Sequence, residues 1–123
     1  MIQIVDTADR VDYQPHGAMV DVWHCRHGEV LVEGPAGTGK TRATLEMLDF
    51  IARKYKGARI LICRKTRASM TQSVLKTFER FVQLPDVRFH TTDQEYRYPN
   101  GSVMVVGGMD KASKVLSSEY DII

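Results

Sequence analysis

The chain has 123 residues, 43% of them hydrophobic and 26% charged, with a formal net charge of +2. That is an ordinary composition for one small folded domain. No apolar run approaches the roughly 20 residues of a membrane span, and no basic segment followed by an apolar one opens the sequence. The expectation is therefore a cytoplasmic protein with no membrane partner, whose two distant cysteines, Cys25 and Cys63, are free thiols.

The charge is unevenly spread. Residues 52–80 carry nine bases and one acid, Glu79, whereas residues 1–29 carry five acids and two bases. A basic middle suits a polyanion such as nucleic acid or a nucleotide, or else it solvates a helix and a turn.

Residues 1–12 are short, mixed and acidic, and Ile2, Ile4 and Val11 suggest at most a weak strand. Residues 18–26 place Met19, Val20 and Trp23 at helical spacing, which predicts a short amphipathic helix. His24, Cys25 and His27 follow it. A structural zinc site needs four ligands in paired clusters, and no second cluster exists, so a surface turn is the reading. Gly28 breaks the helix, and residues 29–33, centred on Val30, Leu31 and Val32, predict a strand buried on both faces.

Residues 34–41 read Gly-Pro-Ala-Gly-Thr-Gly-Lys-Thr and match G-x-x-x-x-G-K-[ST], the Walker A phosphate loop. Gly34, Gly37 and Gly39 let the backbone turn so that its N–H groups point inward. With the next helix N-terminus they form a nest for phosphate, completed by Pro35, Ala36 and Thr38 as the remaining loop positions. Lys40 is the expected contact to the β- and γ-phosphates, and the Thr41 hydroxyl the expected Mg²⁺ ligand. ATP with Mg²⁺ is the implied cofactor. Upstream of such loops an aromatic residue and a glutamine often contact adenine. Tyr13 and Gln14 are candidates for that role, against a Pro-Gly turn that packs on the core.

A helix is predicted over 41–56, with Leu45, Leu48, Ala52 and Tyr55 in its apolar stripe and Gly57 as its C-terminal cap. Residues 60–63 predict the next buried strand, giving a strand–loop–helix–strand unit over 29–63. Arg64 and Lys65 then lie at the carboxyl end of that strand, the edge where open parallel sheets bind ligands. With Arg67 they are the nucleic-acid candidates. A helix is predicted over 68–83, starting at Ser69 if Ser69 and Gln72 form a capping box. Strands are predicted at 87–90, 96–98 and 102–106, the last two joined by a hairpin whose Asn100 and Gly101 both take positive φ. A short helix or turn over 109–116 precedes a new apolar run at 120–123.

Taken together, GPAGTGKT, ILICRKT followed by ASMTQSVLKTFE, and YRYPNGSVMVVGGMDKASKVLSS resemble the large terminase subunit of tailed bacteriophages, the motor that packages viral DNA. The residues that carry the resemblance include Ser73-Val74, Asn100-Gly101-Ser102, Gly108, Asp110, Lys114 and Ser117. The family's commoner loop holds an arginine where this chain has Pro35 and Ala36, and GPAGTGKT is also found in helicases and PhoH-like proteins.

The resemblance implies an α/β, three-layer P-loop NTPase fold of the RecA/ASCE type, with a mainly parallel sheet plus a β-hairpin. Residues 1–28 would form an N-terminal segment, and residues 29–123 an ATPase core that stops before its Walker B acids. It implies DNA translocation driven by ATP hydrolysis, with Lys40 catalytic, double-stranded DNA, a portal and a small terminase subunit as partners, and a ring-forming homo-oligomer. Since the glutamate that would activate water is not in view, weak ATP binding and negligible hydrolysis are expected of this chain alone. Another P-loop ATPase, or a nucleotide-binding piece without catalysis, are the alternatives.

Overall fold

A computed structural model describes residues 13–35, 39–111 and 118–123, with the Lys111 side chain excepted. The weak strand expected in 1–12 lies outside these residues, as do Ala36, Gly37, Thr38, Lys114 and Ser117.

Helix α1 spans Ala18–His24 and helix α2 spans Lys40–Lys54. The stripe read from the sequence is the one α2 buries, with Leu45, Leu48 and Ala52 all inside. Tyr55 is an exception: it caps the helix and is 54% exposed. Gly57 lies two residues further on, in the turn, where its φ of 73° suits glycine. Strand β1 follows at Arg59–Arg64.

The helix expected over 68–83 is broken into three pieces: α3 at Arg67–Gln72, α4 at Val74–Thr77 and a π-helical turn at Phe78–Val82. Thr66, not Ser69, caps it; the Thr66 hydroxyl accepts from the Ser69 N–H at 3.3 Å. The cause of the break is local. Ser73 and Thr77 each turn a hydroxyl back onto the carbonyl four residues earlier, at 3.3 and 3.0 Å. Such back-bonding competes with the helical ladder and bends it, and Ser73 leaves helical geometry at φ −135°, ψ −70°. In the last turn the Gln83 N–H reaches the Phe78 carbonyl at 2.7 Å, five residues back. The extra residue keeps Phe78 and Val82 both 1% exposed.

Strands β2 (Arg88–His90), β3 (Glu95–Arg97) and β4 (Val103–Gly108) complete a sheet ordered β1-β4-β3-β2. β1 pairs with β4 in parallel; β4–β3 and β3–β2 are antiparallel. The mainly parallel sheet expected is therefore mixed among the described residues. The register sets Ile60, Met104, Tyr96 and Phe89 in one row across the sheet. Tyr96 packs its ring between Phe78 and Phe89, centroids 4.6 and 4.8 Å away. That row and residues of α2, α3, α4 and the π turn form one hydrophobic cluster. Among the described residues, the helices of that cluster pack on one face of the sheet. α1 lies against a different face of α2, where the Trp23 indole donates to the Ala43 carbonyl at 3.3 Å.

The hairpin forms where Asn100-Gly101 predicted it, with a different turn. Gly101 alone takes positive φ, 89°. Its N–H returns to the Tyr98 carbonyl at 3.1 Å and the Tyr98 N–H bonds the Ser102 carbonyl at 2.9 Å. This is a three-residue loop, in which Pro99 pre-sets the first turn position and glycine takes the left-handed one.

The strand expected at 29–33 is not there. Val30 is 50% and Leu31 83% exposed, and the segment is irregular. A strand needs a neighbour, and β1 has none to offer: β4 takes one of its edges and Ile122 the other, through a parallel bridge to Ile60. The strand–loop–helix–strand unit is thus loop, helix and strand. Apolar character at 30–32 marks a segment fit for a sheet without supplying the partner.

Candidate nucleotide site

α2 leads through a short turn into β1, so the helix begins where β1 ends. Val32, Lys40, Thr41, Leu45, Ile62 and Val74 line one cleft of about 210 Å³ there. The sequence builds the helix start abruptly. Gly39 takes the left-handed conformation at φ 85° and hands over to Lys40 as the first helical residue. The first turn of α2 contains no acid, so the positive end of the helix dipole is uncompensated by its own side chains.

The Lys40 ammonium folds back on the loop. It donates to the Gly34 carbonyl at 2.5 Å and the Pro35 carbonyl at 2.9 Å. Gly34 and Pro35 therefore lie around the Lys40 cation, with Gly39 and Thr41 as its neighbours in the chain. Thr41 is exposed, its hydroxyl open to a ligand on the helix's first turn. Mg²⁺ keeps several waters and takes few protein oxygens, so one threonine hydroxyl with the oxygens of a triphosphate fits its habits. Among the described residues no group of three or more His, Cys, Asp or Glu is placed to hold a metal by itself.

Tyr13 comes to the same end of α2. Its ring lies 6.0 Å from that of Trp23, and the Arg42 guanidinium sits 5.0 Å over it. Arg42 is also 4.9 Å over the Phe81 ring, so the residue after Thr41 is held between two aromatic faces. Burial is the main cause that pushes the Tyr13 hydroxyl above its ordinary value. Gln14 is exposed and Tyr13 half-buried. The structure thus brings Tyr13 near the loop helix while committing much of its ring to protein contacts. Nothing in the sequence pattern singles out Arg42.

Arg64, Lys65 and Arg67 gather at the carboxyl edge of β1. The Arg64 guanidinium donates to the Ser73 hydroxyl at 2.5 Å and the Ser69 carbonyl at 3.4 Å. Lys65 is exposed, and its carbonyl accepts from the Asp110 N–H at 3.1 Å. Arg67 is tied to Gln94 and Thr71. The end of β4 presses on this turn: a Cβ on Gly108 would stand 2.2 Å from the Arg67 nitrogen, so only glycine fits.

Two of the residues that carry the resemblance, Asn100 and Ser102, have structural work. Asn100 donates to the Ala52 and Arg53 carbonyls at 2.8 and 3.2 Å. Ser102, fully buried, donates to the Tyr55 carbonyl at 2.7 Å and accepts from the Ala58 N–H at 3.0 Å. The hairpin tip thereby caps the C-terminus of α2, satisfying carbonyls that every helix end leaves open. Beside it, the Asp49 carboxylate accepts from the Tyr98 hydroxyl at 2.7 Å and from Arg53 at 3.1 Å. Arg53 also makes a bidentate pair with Asp86, both bonds 3.0 Å. Burial pushes the Asp49 carboxyl up, while the Arg53 bond holds Asp86 below its usual value.

Searches among curated proteins and among solved structures find no match. Comparison with protein families matches residues 17–118, most of the chain, to the AAA domain. The match covers the loop, the helix it opens and the carboxyl edge that faces it. The chain belongs to the AAA domain family and carries a P-loop ATPase-like domain.

Proposed function

We propose that this chain is the ATP-binding part of a DNA-translocating motor of the terminase type. The observation that carries the nucleotide half is Lys40: a lysine at the first position of α2, wrapped by the carbonyls of its own loop. Bound at that place, a triphosphate would take Lys40, the loop N–H groups and the start of α2, with Mg²⁺ on the Thr41 hydroxyl neutralising its charge. Phosphoryl transfer draws mainly on such positioning and charge stabilisation. The DNA half rests on the basic edge at Arg64, Lys65 and Arg67, and the terminase reading on the resemblance of its flanking segments. An oligomeric ring, a portal and a small subunit belong to that reading. The AAA domain match favours a second one, a helicase-type ATPase, equally compatible with the loop.

Titration of the chain with a fluorescent ATP analogue in Mg²⁺ tests the first half. Lys40→Ala should weaken binding at least about tenfold, the loss of one charge-assisted contact to phosphate. Equal affinity in the variant and wild type refutes the site. Fluorescence anisotropy with a blunt duplex and with a single strand separates the motor readings. Preference for the duplex supports packaging, and preference for the single strand supports the helicase.

A further inference from the structure

Gln94 is the one non-glycine residue with positive φ among the described residues, at 53°. Such backbone outliers gather at functional sites when the surroundings hold them in place. Gln94 is held on every side. Its carbonyl accepts from the Val106 N–H at 3.0 Å, tying it to β4. Its amide nitrogen donates to the Thr91 carbonyl at 2.6 Å, which fixes which end of the amide is oxygen. That oxygen accepts from Arg67 twice, from Nε at 2.9 Å and Nη2 at 2.6 Å. The third guanidinium nitrogen donates to the Thr71 hydroxyl at 3.1 Å.

Among the described residues, the side chains that accept from the Arg67 guanidinium, Gln94 and Thr71, are neutral. Other arginines of the fold are treated differently. Arg53 is paired with Asp49 and Asp86, and Arg97 with Asp93 and Glu95. An arginine held by carboxylates has its orientation fixed and its charge cancelled. One held by an amide and a hydroxyl has its orientation fixed and its charge kept. Arg64 is held likewise, by a serine hydroxyl and a backbone carbonyl. Lys65 lies between them in sequence, exposed.

We infer that Gln94 is a positioning residue that aims the Arg67 guanidinium, with its charge intact, at a phosphate of bound nucleic acid. The inference rests on the proposed nucleic-acid role of the β1 edge and names how that edge is organised. Glutamine suits the task better than glutamate, because a carboxylate would accept the same two bonds and neutralise the cation.

The experiment uses the whole chain, a duplex DNA probe and a salt titration. Gln94→Glu should keep the fold and its melting temperature. It should weaken duplex binding roughly tenfold at 0.1 M salt and lower the log–log salt slope by about 1, the signature of one lost phosphate contact. Arg67→Lys should keep the slope, since the charge stays, and lose several-fold in affinity, since a point charge cannot take the fork of two bonds. A structural role alone would move melting and leave the slope unchanged. If Arg67→Ala weakens DNA binding while Gln94→Glu binds like wild type, the positioning role is overturned and the DNA edge stands. If Gln94→Glu does not fold, Arg67→Lys decides: wild-type affinity there overturns the inference. If Lys65→Ala and Arg67→Ala both bind DNA like wild type, the nucleic-acid reading itself fails. A fluorescent ATP analogue supplies the other arm. Weakened nucleotide binding with intact DNA binding in Gln94→Glu would assign the phosphate to the nucleotide and overturn the proposal.

Discussion

Replacing Ser102 by alanine should cost about 2 kcal/mol of folding stability. The hydroxyl is fully buried and makes two bonds, to the Tyr55 carbonyl at 2.7 Å and from the Ala58 N–H at 3.0 Å. Losing it does not orphan both groups equally. The Tyr55 carbonyl keeps the contact from the Ala58 N–H at 3.4 Å, so its loss is the smaller. Ala58 is 7% exposed, and its N–H keeps only a stretched contact to the Tyr55 carbonyl at 3.4 Å. A buried donor left without a good acceptor costs about 1–3 kcal/mol, and the middle of that range is the expectation. For a domain of this size it amounts to a fall of about 8 °C in melting temperature, at about 4 °C per kcal/mol. Thermal and urea unfolding followed by circular dichroism measure it, and nucleotide affinity extrapolated to the folded fraction should not change. A variant within about 0.5 kcal/mol of wild type would refute the cap. A variant of wild-type stability with impaired nucleotide binding would give Asn100-Gly101-Ser102 a functional role.

Gly108→Ala should destabilise by about 1–3 kcal/mol, the usual range for overpacking, because the new Cβ would meet the Arg67 nitrogen and an Asp110 carboxylate oxygen at 2.2 Å. Urea midpoints report this; an unchanged midpoint would mean that β4 does not press on the β1–α3 turn. Asp86→Asn tests the acid side of the Asp49–Arg53–Asp86 group through pH. The folded state holds the Asp86 carboxyl below 3.8, so its contribution is present above that value and is lost as pH falls through the lowered one. Wild type should be the more stable at neutral pH, and the two should converge at the acid end; a gap that persists there would sink the assignment. Asp49, raised by burial, works in the opposite sense: its contribution is present below 3.8 and lost as pH rises through the raised value. The difference between the two proteins, not the wild-type curve, is therefore the quantity to read.

Much of this fold is legible because it is local. The stripe at Leu45, Leu48 and Ala52 folds as a helix, and residues 60–63 form the middle of β1, since each carries its own periodicity. Pro99-Asn100-Gly101 turns the chain because a proline and a glycine meet the dihedral demands of one loop. What fails depends on partners elsewhere. Val30 to Val32 reads as a strand but lacks a free edge of β1 to pair with. The broken helix at Ser73 is local in cause yet hidden by pattern, because hydrophobic spacing continues through it while the hydroxyls of Ser73 and Thr77 bend the backbone. At the candidate site, motif spacing alone singles out Lys40 and Thr41 as its proposed contacts. Gln94 was not: a left-handed glutamine that orients an arginine 27 positions earlier has no signature in sequence. The same holds for Arg42, whose place between Tyr13 and Phe81 depends on three separate segments meeting.

If the loop takes the proposed nucleotide, the two bonds between the Lys40 ammonium and the carbonyls of Gly34 and Pro35 would make its entry an exchange reaction. An arriving anion has to displace acceptors already close to the cation, so only its surplus over two carbonyls appears as affinity. A monoanion gains little by such a swap, since it trades well-placed dipoles for one charge that leaves its own hydration behind. A triphosphate presents several oxygens at once, can take the ammonium and the loop N–H groups together, and shares the cost of release among them. On the proposed nucleotide role, the loop's self-bonding would act as a threshold on ligand charge, set against chloride and other monoanions.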